Sequence, residues 1–269
     1  MPMIPLYRFK QYVLHPGQLV RRLVMRGQMR CAHWLTKMPF FLQGQMDIQP
    51  GARWYNPEFA KMTGGFFLPH DATSREIVDL DPWDLVRRDM LILLLRSLLE
   101  RNVPGELAEL GAWKGATAKL FHYYLPERKL HIFDTFSGFD ERDLHLDSSI
   151  TGQSQEQMFT DTCVAAVLQY IKPKNQNVSC HQGYFPDSIP PGFAEHTFAF
   201  VHLDADLYAP IMAGLQFFYN RVNPGGLIVV HDYNGWPGAR QAVTDFFKDK
   251  PEVPIPMPDK SGSALIVKQ

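Results

Sequence analysis

The sequence predicts an α/β fold: a doubly wound, mostly parallel sheet with a closing C-terminal strand pair and an N-terminal helical and loop extension. Three observations predict it. Residues 198–203, apolar but for His202, and 227–230 are apolar runs, the pattern of strands covered on both faces. Between them Ile211, Leu215, Phe218 and Val222 fall on one helical stripe, and Pro224-Gly225-Gly226 turns the chain, so the stretch reads as a βαβ unit. Near the front, a short strand over 106–110 runs into Gly111 and Gly115 and then a helix. Glycines there let the backbone approach a ligand, and the helix start offers free N–H groups.

The totals narrow the choice. The chain has 269 residues, 45% hydrophobic and 20% charged, enough for one large α/β domain with an appendage. Its formal net charge of −1 supplies no global field for nucleic acid, so no nucleic-acid partner is expected. Cys31, Cys163 and Cys180 are far apart with no CxxC, which points to a reducing compartment. The longest apolar run, 90–95, is too short to span a bilayer, and no signal-type apolar core is seen, so a cytoplasmic protein is expected.

Two parts are expected: a basic extension and lid-like segment over 1–82, and a ligand-binding domain over 83–269. Seven Lys or Arg precede the first acid, Asp47. Arg22, Arg26 and Arg30 repeat along a predicted helix over 18–37. It reads as a helix packed on the domain or a partner subunit with a solvated basic face, or as weak contact with an anionic membrane surface or polyanionic glycan. Residues 47–82 are rich in Pro and Gly and suit a lid or one wall of a site.

The remaining elements follow in order. Residues 84–100 form an amphipathic helix, stopped by Pro104-Gly105. A second strand over 129–136 carries Asp134, and 137–155 reads as a polar loop. A helix is expected over 155–171, a third strand over 177–184, and a turn-rich link over 185–192. Residues 237–247 start with Pro and read as a helix. A final strand over 263–268 pairs with 253–256 at the sheet edge. The count is five strands alternating with helices, then a strand pair.

In such sheets ligands bind outside the carboxyl ends of the strands. Asp204 and Asp206 tip the fourth strand, and His231 and Asp232 tip the fifth, so all four face one crevice. Crowded carboxylates favour a cation or a shared proton. Capping of the next helix is the structural alternative for Asp204 and Asp206. A packed histidine is the alternative for His231. Asp134, some 20 residues beyond the glycines, suits ribose hydroxyls or else caps a turn. Glu109 before the turn suits an amine-bearing ligand better than a pyrophosphate. Tyr208 and Tyr233 are candidates for an acceptor pocket, and Trp113 and Trp236 for excluding water.

Several stretches together resemble one family. They are 105–117, Phe133-Asp134-Thr135-Phe136-Ser137-Gly138-Phe139, Gly183-Tyr184-Phe185-Pro186-Asp187-Ser188, Leu203-Asp204-Ala205-Asp206-Leu207-Tyr208 and Gly225-Gly226 followed by His231-Asp232-Tyr233 and Gly238-Ala239-Arg240-Gln241-Ala242-Val243. Their order is similar to that of the macrocin O-methyltransferases, over about residues 60–269. The resemblance implies the class I methyltransferase fold, S-adenosylmethionine as methyl donor, a divalent cation (Mg²⁺ or Mn²⁺), a hydroxyl acceptor on a sugar, glycoside or related natural product, and a homodimer. It implies that Glu109, Gly111 and Gly115 line the methionine part of the donor, that Asp134 takes the ribose hydroxyls, and that Gln182 and Gly183 border the adenine. Asp204 and Asp232 would hold the metal, with Asp206 the candidate base near the acceptor. Many members carry Asp-Asp-Tyr where this chain has His231-Asp232-Tyr233. His231 is then a ligand for a softer ion, a base or a packing residue.

Two rival readings stay open. Asp204-Ala205-Asp206 also matches the D-x-D motif of metal-dependent glycosyltransferases. A non-catalytic subunit that kept the fold is the other, favoured by His231 at a usual ligand position.

Overall fold

A computed structural model describes residues 84–172 and 176–269 of the chain. The expectations for residues 1–83, including the basic stretch over 18–37 and the lid-like segment over 47–82, lie outside the described residues. Among the described residues the first element is helix α1 (Leu85–Glu100). Asp84 starts it by accepting from the Arg87 amide at 3.0 Å, satisfying one of the donors a helix start leaves open. Its apolar stripe, Leu91, Leu95 and Leu98, is fully buried.

The βα alternation then follows the predicted plan: β1 (Glu106–Leu110), α2 (Ala116–Tyr124), β2 (Leu130–Asp134), α3 (Glu141–Thr151), α4 (Val164–Ile171), β3 (Val178–Gln182), β4 (Phe198–Leu203), α5 (Tyr208–Phe218), β5 (Val222–Val230), α6 (Pro237–Phe247), β6 (Ile255–Pro256) and β7 (Ala264–Val267). One 3₁₀ turn (Phe193–Glu195) leads to β4 and another (Tyr219–Arg221) leaves α5. The seven strands lie in the order β3-β2-β1-β4-β5-β7-β6. Strands β1 to β5 are parallel, and β7 and β6 close the edge antiparallel. The winding reverses between β1 and β4, where the crevice of a doubly wound sheet opens. On one face Phe133, Phe198, Leu215 and Phe218 pack in one cluster with residues of α5 and α6. Burying each such side chain contributes about 2 kcal/mol.

Three expectations are corrected. Residues 141–151, read as polar loop, form α3: Asp140 caps it by accepting from the Arg142 amide, and Gly152 ends it at φ +71°. The helix expected over 155–171 begins only at Val164. Ahead of it the Gln157 side chain accepts from the Phe139 amide and donates to the Phe139 carbonyl, both at 2.7 Å, so that stretch is tied to a loop. Pro224-Gly225-Gly226 lies within β5 as a register irregularity: Phe198 faces Val222, but Phe200 faces Leu227. Val222 therefore opens the strand and does not extend the helical stripe. Among the described residues no helix is long and apolar enough to cross a membrane.

Candidate active site

A cavity of about 820 Å³ opens at the carboxyl ends of the parallel strands. That size suits a cofactor with part of a second ligand. Gly111, Asp134, Gly183, Asp204, Asp206, His231 and Asp232 all line it.

One side is built by the glycine turn. The Gly111 amide donates to the Phe133 carbonyl at 2.8 Å, and the Asp204 amide donates to the Leu110 carbonyl at 2.8 Å. The turn is thus laced between β2 and β4. Gly111 has φ +84°, and a Cβ there would stand 2.1 Å from the Asp204 carbonyl oxygen. Only glycine meets both demands. Asp134 Oδ2 accepts from the Ala112 and Trp113 amides at 2.7 and 3.0 Å, and Oδ1 accepts from the Phe136 amide at 2.6 Å. A carboxylate offers about four acceptor positions, so one direction is left for a ligand hydroxyl.

Three predicted donor-site residues are not on the cavity wall. Glu109 is fully buried behind the turn. Its Oε1 takes a hydrogen bond from the Thr117 hydroxyl and lies 3.0 Å from His202 Nδ1. Burial pushes its carboxyl up, opposed by His202 and Thr117. Oε1 thus braces β1 against β4, while Oε2 is buried with no hydrogen-bond partner among the described residues. Gly115 caps α2, with its Cα facing Val167. Gln182 ends β3 exposed, and only its neighbour Gly183 reaches the wall.

The other side is acidic. Asp206 and Asp232 sit at the ends of their strands with φ +60° and +57°, a left-handed conformation that costs non-glycine residues about 1 kcal/mol each. His231 Nδ1 is 2.9 Å from both Asp204 Oδ1 and Asp232 Oδ2. Donor atoms of Asp204, His231 and Asp232 all lie within 4.8 Å of one another, a spacing a single metal ion could bridge. Two carboxylates and one imidazole suit manganese or another transition ion better than magnesium.

The electrostatics follow from this crowding. Burial raises Asp206 well above the carboxylate range, helped by a hydrogen bond to Asp232 and by the charge of Asp204. Asp204 and Asp232 go the other way: burial opposes their charge, but the hydrogen bond each takes from His231, joined by the charge of Arg87 at Asp204 and a hydrogen bond from Asp206 at Asp232, outweighs it and holds both below the usual range. Burial lowers His231 while the two acids push it up, to about 10. Arg87 Nη1 lies 2.9 Å from His231 Nε2 and 3.6 Å from Asp204 Oδ2. A guanidinium only donates, so the contact requires a lone pair on Nε2, whereas a value near 10 implies a proton there. The contact distance decides for the neutral ring, with Nδ1–H facing the acids.

Sequence reasoning missed Arg87, which α1 carries into the cavity beside His231. Its only local signal is its place in the first turn after Asp84. It also missed Asp143 of α3, which lines the wall and accepts from the Tyr184 hydroxyl at 2.8 Å, with Arg142 stacked 3.8 Å over that ring. Of the four aromatic candidates, only Trp113 lines the cavity, and its indole N–H donates to Asp161 at 2.7 Å. Tyr208 reaches Asp245, Tyr233 lies under Arg240, and Trp236 meets Phe139 edge-on.

Comparison with known proteins adds an independent line. A family model described as macrocin-O-methyltransferase (TylF) matches residues 86–265. A 4'-O-methyltransferase of Streptomyces olivaceus, named for 8-demethyl-8-(2,3-dimethoxy-alpha-L-rhamnosyl)-tetracenomycin-C, is 26% identical over 174 residues, 60% of this chain. The chain spans 65% of that relative, just under two thirds of its length. Demethyldecarbamoylnovobiocin O-methyltransferase of Streptomyces niveus is 26% identical over 206 residues, covering 67% of this chain and 76% of that one. The solved structure of the O-methyltransferase NovP is similar in fold, with a TM-score of 0.57 at 20% identity over 68% of this chain and 80% of that one.

Proposed function

The chain belongs to the macrocin-O-methyltransferase family, and from that premise we propose that it moves a methyl group from S-adenosylmethionine to a hydroxyl of a sugar, glycoside or related natural product. The observation that carries the reading is one cavity walled on one side by the glycine turn with Asp134, and on the other by Asp204, Asp206, His231 and Asp232. The rhamnosyl group in the name of the Streptomyces olivaceus relative supports a sugar hydroxyl as acceptor.

The roles follow from chemistry. Asp134 already fixes the turn and has one acceptor direction left for a ribose hydroxyl. Asp204 and Asp232 would hold a divalent cation, joined by His231 Nδ1 once its proton has shifted to Nε2 and Arg87 has moved off that nitrogen; the cation would lower the pKa of the acceptor hydroxyl and orient it. Asp206, whose carboxyl lines the cavity, would take the proton once the cation's charge has let that carboxyl ionise. Alignment is the other task, since the hydroxyl must lie in line with the methyl group. The glycosyltransferase alternative loses its footing with the family membership, because the D-x-D triplet was its one support.

One observation favours a second reading, in which no ion is needed. Arg87 beside Asp204 and His231 already offsets part of the acidic charge. Calorimetric titration of S-adenosylmethionine and S-adenosylhomocysteine, with and without Mg²⁺ or Mn²⁺, tests both. Micromolar binding with methyl transfer that EDTA stops supports the metal-assisted form. Transfer unaffected by EDTA supports the second. Binding of neither ligand removes the methyltransferase reading.

A further inference from the structure

We propose that Glu106, His131 and His196 form a second metal site, for a zinc-class divalent ion, at the end of the sheet opposite the active-site cavity. Glu106 opens β1, His131 is the second residue of β2, and His196 follows the 3₁₀ turn that leads into β4. All three lie at the amino ends of parallel strands. The length of β1, about 13 Å at 3.3 Å per residue, separates them from the glycine turn.

Two imidazoles converge on one carboxylate oxygen. Glu106 Oε2 is 2.9 Å from His131 Nε2 and 2.6 Å from His196 Nδ1. The three ligand atoms lie within 4.8 Å of one another, so small side-chain shifts bring them to the roughly 2.0–2.2 Å ligand distances of zinc. The rings are already fixed. His131 and His196 stand at 81° to each other. Phe193 stacks on His196 at 4.5 Å and meets His131 edge-on at 4.7 Å. His131 also has the outer partner a metal-ligating histidine needs: its Nδ1 is 3.0 Å from His181 Nε2.

Chemistry selects the ion. Two nitrogens and one oxygen suit zinc or cobalt, whereas magnesium asks for oxygen throughout. The His196 and Glu106 side chains are 30% and 28% exposed, so an ion has a path from solvent and a fourth position for water. On binding, His131 Nε2 and His196 Nδ1 present lone pairs and each ring keeps its proton on the other nitrogen. His131 Nδ1–H then donates to His181. The ion would clamp β1, β2 and the lead-in to β4.

The test uses Co²⁺ as a spectroscopic probe on the full-length protein, stripped of metal, in the Asp204→Asn/Asp232→Asn background that disables the active-site ligands. One equivalent of Co²⁺ should give the visible bands of four-coordinate cobalt, and Zn²⁺ should displace it. His196→Ala, at a part-exposed position, should abolish the bands and weaken Zn²⁺ binding at least tenfold. Glu106→Gln, nearly the same shape, should do likewise. No bands in that background, bands seen only when Asp204 and Asp232 are intact, or bands unchanged in His196→Ala would each overturn the proposal. The proposal does not rest on methyl transfer, so it stands or falls apart from it.

Discussion

Replacing Gly111 by alanine measures how tightly the glycine turn is set against β4. Two costs arise, and a second glycine separates them. Gly152, at the end of α3, also has a left-handed φ, +71°, but a Cβ there would meet nothing within 4 Å. Gly152→Ala should therefore show backbone strain alone, about 1 kcal/mol, less what the stiffer unfolded chain returns. Gly111→Ala carries similar strain at φ +84°, and its Cβ would sit 2.1 Å from the Asp204 carbonyl oxygen and 2.7 Å from its carbon. Relief needs a shift of over an ångström. That means overpacking of about 1–3 kcal/mol, and loss of the bond from the Asp204 amide to Leu110, about 1 kcal/mol. The sum is about 3–5 kcal/mol, some 2–4 more than at Gly152. Equilibrium urea unfolding of both variants, followed by tryptophan fluorescence, gives the difference directly. A gap under about 1 kcal/mol would refute the reasoning, since the close approach would then cost nothing.

Other outcomes are equally specific. Asp204→Ala and Asp232→Ala should abolish methyl transfer while calorimetry still detects S-adenosylmethionine; full activity in either variant would sink the metal assignment. Asp134→Ala removes an acceptor shared by three amides, each such charge-assisted bond contributing about 1.5–3 kcal/mol. It should weaken S-adenosylmethionine binding at least tenfold and destabilise the fold, both read by calorimetry. Burial opposes the charge of Glu252, but Lys268 and Tyr219 hold its carboxyl down at about 2. Its folded pKa is below the unfolded value of about 4.3, so its contribution is present above that pH and lost as pH falls toward 2. Allowing for the partly exposed Lys268, Glu252→Gln should cost about 1 kcal/mol at pH 7. The cost should vanish near pH 2, as followed by urea unfolding across that range.

What could be read from the sequence was what neighbours in the chain determine. The runs ending at Leu203 and Val230 are apolar but for His202 because both faces of those strands are covered, and their acid tips follow from strand ends facing one crevice. The motif that starts α2 is legible for the same reason. Helix α3 was not. Its stretch Glu-Arg-Asp-Leu-His-Leu-Asp-Ser-Ser-Ile-Thr lacks an apolar stripe, and two of its acids, Asp143 and Asp147, are buried by distant partners. Asp147 Oδ1 accepts from the Tyr208 amide at 3.0 Å and so caps α5 from 61 residues away. No local rule reports a cap supplied across that distance. Glu109 shows the same limit: acid before a glycine turn reads as a ligand contact, and nothing nearby in the chain reports that His202, 93 residues on, takes its Oε1. Arg87 acquires its role only once α1 is docked against α2 and β5.

The contact of Gly111 with the Asp204 backbone has a consequence for how such a protein can change. It lies where the sheet's winding reverses, and it rivets the glycine-turn half of the cavity, on β1 to β3, to the acid half, on β4 and β5. The separation between the glycine turn and the acid cluster is then fixed by main chain, which point mutation alters with difficulty. New acceptors must be accommodated elsewhere, by walls such as the loop around Phe139 and the start of α3. Under the proposed methyl transfer, a lineage could trade one hydroxyl substrate for another by rewriting those walls, while the distance between the two halves of the site stays inherited.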